Sequence, residues 1–216
     1  MCIDPTRRRV AGAIVLLALS FPAFGESLLD DLTQAVANDR VDEVKRLLAR
    51  GMDPDSVDAS GEPMLCIAAR NGYPRTVQAL LAAKAHPERP NRFGDTPLML
   101  AAIKGDLDTV RVLQAGGAAL NRKGWTPLIY AATGGHDDVV EFLLLHGADI
   151  DAQSPNGTTA LMMAIHEHHP ETARLLIVRG ADVDHRNQDG ATALEWAKRG
   201  NEDDLVKELR RVGAKG

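Results

Sequence analysis

Thr126-Pro127-Leu128-Ile129-Tyr130-Ala131-Ala132-Thr133-Gly134-Gly135-His136, with Asp137–His146 behind it, decides the fold. Thr caps free helix N–H groups, and Pro fits the first helical position, where its missing N–H is not needed. Gly134-Gly135 ends this helix, because glycine accepts the left-handed conformation at a C-terminus. Val140, Leu143 and Leu144 then recur at helical spacing, and Gly147 closes the segment. The stretch predicts two short helices joined by a turn.

Outward from Leu128 the same unit recurs. Leucine stands at Leu32, Leu65, Leu98, Leu128, Leu161 and Leu194, at intervals of 33, 33, 30, 33 and 33 residues. Ala35, Ala68, Ala101, Ala131, Ala164 and Ala197 keep step, as do Leu47, Leu80, Leu113, Leu143, Leu176 and Leu209. Three columns in phase mean a stack of one small unit, each copy too small to bury its apolar face alone. The alanines let neighbouring helices approach closely. The 30-residue interval is a three-residue deletion between Gly117 and Gly124. It falls where turn length is tolerated, so one turn should be shorter than its neighbours.

The unit resembles the ankyrin repeat. The residues that carry the likeness are Gly124-Trp125-Thr126-Pro127-Leu128, Ala131-Ala132, Gly135-His136, Val139-Val140-Glu141-Phe142-Leu143-Leu144-Leu145 and Gly147-Ala148-Asp149. Gly94-Asp95-Thr96-Pro97-Leu98 and Gly180-Ala181-Asp182-Val183-Asp184 match too, and the likeness covers about residues 28–216. It implies an all-α ankyrin-repeat solenoid of about six stacked helix-turn-helix units with short hairpin fingers. The units would be an N-cap at 28–59, repeats at 60–92, 93–122, 123–155 and 156–188, and a polar C-cap at 189–216. The family's histidine after Thr-Pro-Leu is replaced by Cys66, Met99, Ile129, Met162 and Glu195. The fingers should therefore be held less firmly.

Residues 1–25 read as an address. Arg7-Arg8-Arg9 precede an apolar run from Val10 to Phe21, and Pro22-Ala23-Phe24-Gly25 offers small residues before a cut. This is the pattern of a secretory signal peptide, and the run is shorter than the roughly 20 residues needed to span a bilayer. The expected location is the periplasm. The alternatives are a cytoplasmic protein and one anchored in the membrane by an uncleaved leader. No stable membrane insertion is expected after cleavage.

The chain carries a net charge of −5, which argues against nucleic acid as a partner. Once the leader is removed, Cys66 is the only cysteine, so no internal disulfide is expected. It reads as a buried small side chain rather than a redox thiol. His166-Glu167-His168-His169 is the sharpest metal candidate. However, His169 matches His136 of the repeat, and His168 replaces a helix-ending glycine. Asp149, Asp151, Asp182 and Asp184 recur in phase, as turn residues do and a single active site would not. With no phosphate loop and no Gly-x-Ser-x-Gly elbow, the expectation is no enzyme, no metal and no cofactor.

The resemblance implies a protein partner, bound on the concave face made by finger tips and first-helix ends. Mapped onto this chain, the fingers offer Glu62, Arg92, Phe93, Asp95, Arg122, Lys123, Trp125, Asn156 and Thr158. The helix ends offer Arg70, Asn71, Ile103, Lys104, Thr133, His166 and Glu167. Phe93 and Trp125 stand out in a chain with only four Phe, two Trp and two Tyr. They either anchor a partner or brace the fingers. Tyr130 and Trp196 share a packing column with Ile67, Leu100 and Met163. The expected protein is a monomeric, non-catalytic periplasmic interaction scaffold whose partner is not named by the sequence. A narrower alternative is an immunity-type inhibitor or maturation partner of a secreted or periplasmic enzyme. Another is a metal- or redox-linked periplasmic factor using the histidine cluster or Cys66.

Overall fold

The computed structural model describes residues 23–215. In chain order the helices are α1 (Ala23–Ala37), α2 (Val41–Ala49), α3 (Met64–Asn71), α4 (Pro74–Ala82), α5 (Pro97–Lys104) and α6 (Leu107–Ala115). They continue as α7 (Pro127–Gly134), α8 (Asp137–Leu145), α9 (Ala160–His166), α10 (Pro170–Val178), α11 (Ala193–Arg199) and α12 (Asp203–Arg211). The odd-numbered helices pack one on the next, the even-numbered ones do the same behind them, and each pair closes on itself. The result is an all-α, two-layer repeat solenoid. The expected leader at 1–25 lies outside the described residues, apart from Ala23–Gly25, which open α1. Among the described residues, no helix is long and apolar enough to cross a membrane.

Every member of the three columns is buried, and each column alanine is fully so. Together they form one continuous apolar core from Leu32 to Leu209. Helix starts follow the sequence signals. The hydroxyls of Thr96, Thr126, Thr159 and Thr192 accept the N–H groups of Met99, Ile129, Met162 and Glu195. Pro63 stands in the threonine's place at α3 and gives no such bond.

Turn carboxylates, and the Asn121 amide, stitch units together. Asp55 accepts the His86 N–H at 2.9 Å, Glu88 that of Ala119 at 2.8 Å, and Asn121 that of Asp149 at 2.8 Å. Asp151 accepts from Asp182 at 2.8 Å and Asp184 from Lys215 at 2.7 Å. Asp149 and Asp182 cap their own turns by accepting the N–H of Asp151 and Asp184. These side chains serve the turns, as their phase implies.

The shortened finger lies where the missing residues put it. Residues 116–126 join α6 to α7, whereas 83–96 join α4 to α5 and 146–159 join α8 to α9. The longer fingers close with hairpin bonds such as Asn91 N–H to the Asp95 carbonyl and Ser154 N–H to that of Thr158. The short one is tethered by Asn121 instead, whose amide also donates to the Gly147 carbonyl at 2.9 Å.

The positions that lack the family's histidine are partly compensated. The Cys66 thiol donates to the Arg89 carbonyl at 3.5 Å. Met99 Sδ accepts from the Thr96 N–H, and Glu195 from the Thr192 N–H. Ile129 and Met162 are buried apolar fillers.

Candidate partner-binding face

The finger and first-helix side of the stack carries three grooves. The first, of about 480 Å³, brings together Arg70, Arg92, Phe93 and Asp95. The second, of about 300 Å³, is lined by Ile103, Trp125, Tyr130, Thr133 and Met163. The third, of about 410 Å³, includes His166, His168, Trp196 and Arg199. The sequence-derived surface is thus divided: Phe93 and Trp125 sit in different grooves.

Phe93 is 71% exposed, with the Arg92 guanidinium 4.7 Å from its ring centre. Trp125 is 38% exposed and packs its ring edge-on against Tyr130, with centres 6.0 Å apart. Tyr130 in turn donates its hydroxyl to Asp95 on the neighbouring finger at 2.5 Å. Burial, then this bond to a carboxylate, pushes the Tyr130 phenol well above its ordinary pKa. Trp125 therefore both braces and presents a surface, while Phe93 stays exposed.

Several candidates prove structural. Glu62 is buried and paired with Arg70, which fixes that arginine's direction. Thr158 is buried under its own finger. Asp95 is half-buried, with its carboxylate taken by Tyr130 and by the Asn91 amide at 3.2 Å. Thr133 gives its hydroxyl to the Ile129 carbonyl at 2.8 Å, and its own carbonyl accepts the His169 ring at 3.0 Å. Arg122 reaches back to the Gly94 carbonyl at 3.1 Å and Met99 Sδ at 3.3 Å, yet stays exposed. Lys104, Lys123, Asn156 and Glu167 are exposed.

The histidine cluster diverges. His166 lies against Trp196 with ring centres 5.2 Å apart, His168 pairs with Glu202 at 2.7 Å, and His169 turns to the Thr133 carbonyl. Among the described residues, no group of three or more His, Cys, Asp or Glu is placed to hold a metal. Cys66 is buried, and burial, followed by the Glu62 charge, pushes its thiol up to about 12. A thiol that stays protonated at neutral pH is a poor nucleophile and a poor ligand.

Tyr130 and Met163 line the second groove, although their column reads as packing. The signal was present: Ile67, Leu100, Tyr130, Met163 and Trp196 vary in kind where the Leu and Ala columns do not. Variation in a repeated position marks a place that stacking leaves unconstrained.

Comparison with known proteins agrees with this architecture. A family model described as "Ankyrin repeats (3 copies)" matches residues 65–154 and 144–215, and one described as "Ankyrin repeats (many copies)" matches 32–81. The crystal structure of the human ASB11 ankyrin repeat domain superposes with a TM-score of 0.78 at 30% identity, covering 85% of this chain and 84% of that one. The glycerophosphocholine phosphodiesterase gde1 of Schizosaccharomyces pombe is 37% identical over 79 residues, which are 36% of this chain and 7% of that protein. The Ankyrin repeat and KH domain-containing protein mask of Drosophila melanogaster is 38% identical over 95 residues, 42% of this chain and 2% of that one. The chain thus spans less than a tenth of either curated relative, and what is shared is the repeat. By its columns, its helix pairs and these matches, the chain belongs to the ankyrin-repeat family.

Proposed function

We propose that this protein is a non-catalytic scaffold that binds another protein through its finger and first-helix face, and that it acts in the periplasm after export. One observation carries the binding reading: an apolar groove built by Ile103, Trp125, Tyr130 and Met163 stays open, with the Tyr130 hydroxyl already bonded to Asp95 of the neighbouring finger. Tyr and Trp at such a place are typical anchors. The ankyrin fold is typically a non-catalytic interaction module. Export rests on the basic, apolar and small-residue order of residues 7–25.

Trp125→Ala should abolish or sharply reduce retention of a partner from periplasmic extract while the thermal midpoint stays close to wild type. Retention that is unchanged by this substitution, and by Phe93→Ala, overturns the assigned face. Mass spectrometry of the N-terminus reads the location: residues 1–25 intact on the cellular protein overturn the periplasmic assignment.

A further inference from the structure

We propose that the groove of Ile103, Trp125, Tyr130 and Met163 docks an acidic segment of a partner protein that carries one bulky apolar side chain; this rests on the interaction reading above. The groove holds about 300 Å³, the small end of the range for ligand pockets, which leaves room for one bulky side chain. Apart from the Trp125 indole N–H, its side-chain polar groups are already engaged. The Tyr130 hydroxyl is given to Asp95, the Thr133 hydroxyl to the Ile129 carbonyl, and the Thr133 carbonyl is taken by His169. What remains to offer is apolar floor and the indole.

Around that floor the exposed charge is mostly positive, with the half-buried Asp95 carboxylate held by Tyr130 and Asn91. Lys104 follows Ile103 at the end of α5, Arg122 and Lys123 precede Trp125, and Arg92 sits beside Phe93 on the next finger. All four are exposed. Among the described residues, none has a carboxylate within 4.0 Å, whereas Arg70, Arg111, Arg174 and Arg179 each do. The nearby Asp95 carboxylate is occupied by Tyr130 and Asn91, and Glu167 lies further on, beside His166. In a chain of net charge −5, this is a local inversion of sign. Cations next in sequence to the residues of an apolar groove complement carboxylates flanking an apolar anchor, which favours both encounter and register.

The test uses the full chain and three short fluorescent peptides. One has a central Leu-Phe flanked by Asp and Glu, one has the same centre flanked by Lys and Arg, and one keeps the acidic flanks around Gly-Gly. The acidic Leu-Phe peptide should bind roughly tenfold more tightly than either other peptide, and more weakly as salt rises. The double variant Lys104→Glu/Lys123→Glu should lower its affinity roughly tenfold. Neither lysine takes part in the internal hydrogen bonds or ion pairs described, so the variant should keep its fold, which circular dichroism checks; Lys104→Glu alone serves as a second variant. Equal binding of the three peptides overturns the proposal. So does unchanged affinity in both variants, displacement by a single-stranded oligonucleotide, or sedimentation showing the groove filled by a second copy. If the peptides show no preference while partner retention still depends on Trp125, only the acidic-segment proposal falls; if retention is also independent of Trp125 and Phe93, the broader reading falls with it.

Discussion

Thr109 on α6 and Thr172 on α10 hold the same place on second helices and differ in what meets their hydroxyls. Thr172 donates to Asp137 at 2.5 Å, and Thr76 likewise to Asp39 at 2.7 Å. Thr109 Oγ1 is buried without a partner, because the matching turn of the preceding unit reads Gly72-Tyr73-Pro74 and brings no carboxylate, and Asp106 accepts the Thr109 N–H instead. The fourth unit already carries Val139 in this column. Thr109→Val should therefore stabilise the protein by about 1 kcal/mol, and Thr172→Val should destabilise it by about 1 kcal/mol. Urea melts of the two variants, shifting in opposite directions, check this. A second residue-scale anomaly is Lys84. It has φ 74° in a column otherwise made of Gly51, Gly117, Gly147, Gly180 and Gly213. A side chain in that conformation is strained, so Lys84→Gly should gain about 0.5–1 kcal/mol, read as a higher melting midpoint. Residue identity alone flags Lys84 as odd in its column; the orphaned Thr109 hydroxyl needs the neighbouring unit to be in place.

At the element scale the sequence was most legible. The Leu and Ala columns, the threonine caps and the glycine stops place the helix pairs, because each is a local rule repeated in phase. Leu128→Ala should cost about 2–5 kcal/mol, since the seam between α5, α7 and α9 cannot close on the cavity. Denaturant melts measure it, and a loss under about half a kcal/mol would mean that Leu128 is not packed in this seam. What the pattern did not show is how units compensate for one another. Gly105 leaves room that the His136 ring fills, and that ring bonds the Ile103 carbonyl at 2.9 Å. Where His168 stands at the matching position, with φ 61°, the next unit brings Glu202 to pair with it. At the positions that lack the family's histidine, Cys66 bonds the distant Arg89 carbonyl, while Met99 and Glu195 bond the caps of their own helices.

Over the whole molecule, charge is unevenly committed. In the turns between α2 and α3, burial works against the carboxylates of Asp55 and Asp58. Hydrogen bonds from His86 to Asp55, and from Glu62 and Ser60 to Asp58, outweigh it, so both pKa values fall below 3.8. A lowered carboxylate pKa adds stability that is present above its unfolded value and lost as pH falls through its folded value. The N-terminal end should therefore loosen on acidification below about pH 4, and Asp55→Asn should make its melting less sensitive to acid over that range. Hydrogen exchange of α2 and α3 amides at about pH 5 and about pH 2.5 reads the effect by region, after correction for intrinsic exchange rates. At the other end of the scale, four unmatched cations gather on one face of an acidic chain, and only the stack brings them together.

The sequence by itself determined the repeat, the helix pairs, the shortened finger and the buried columns. Each of these follows from local geometry and periodic burial, which a one-dimensional pattern records. The tertiary structure alone decided which finger residues stay exposed. Glu62, Asp95 and Thr158 look alike on paper with Arg92, Phe93 and Lys123, yet Glu62 is paired with Arg70, Asp95 is bonded to Tyr130 of the next unit, and Thr158 is buried. Exposure of a finger side chain depends on its contacts within its own unit and with the adjacent one, and these are fixed only when the chain folds and the units stack.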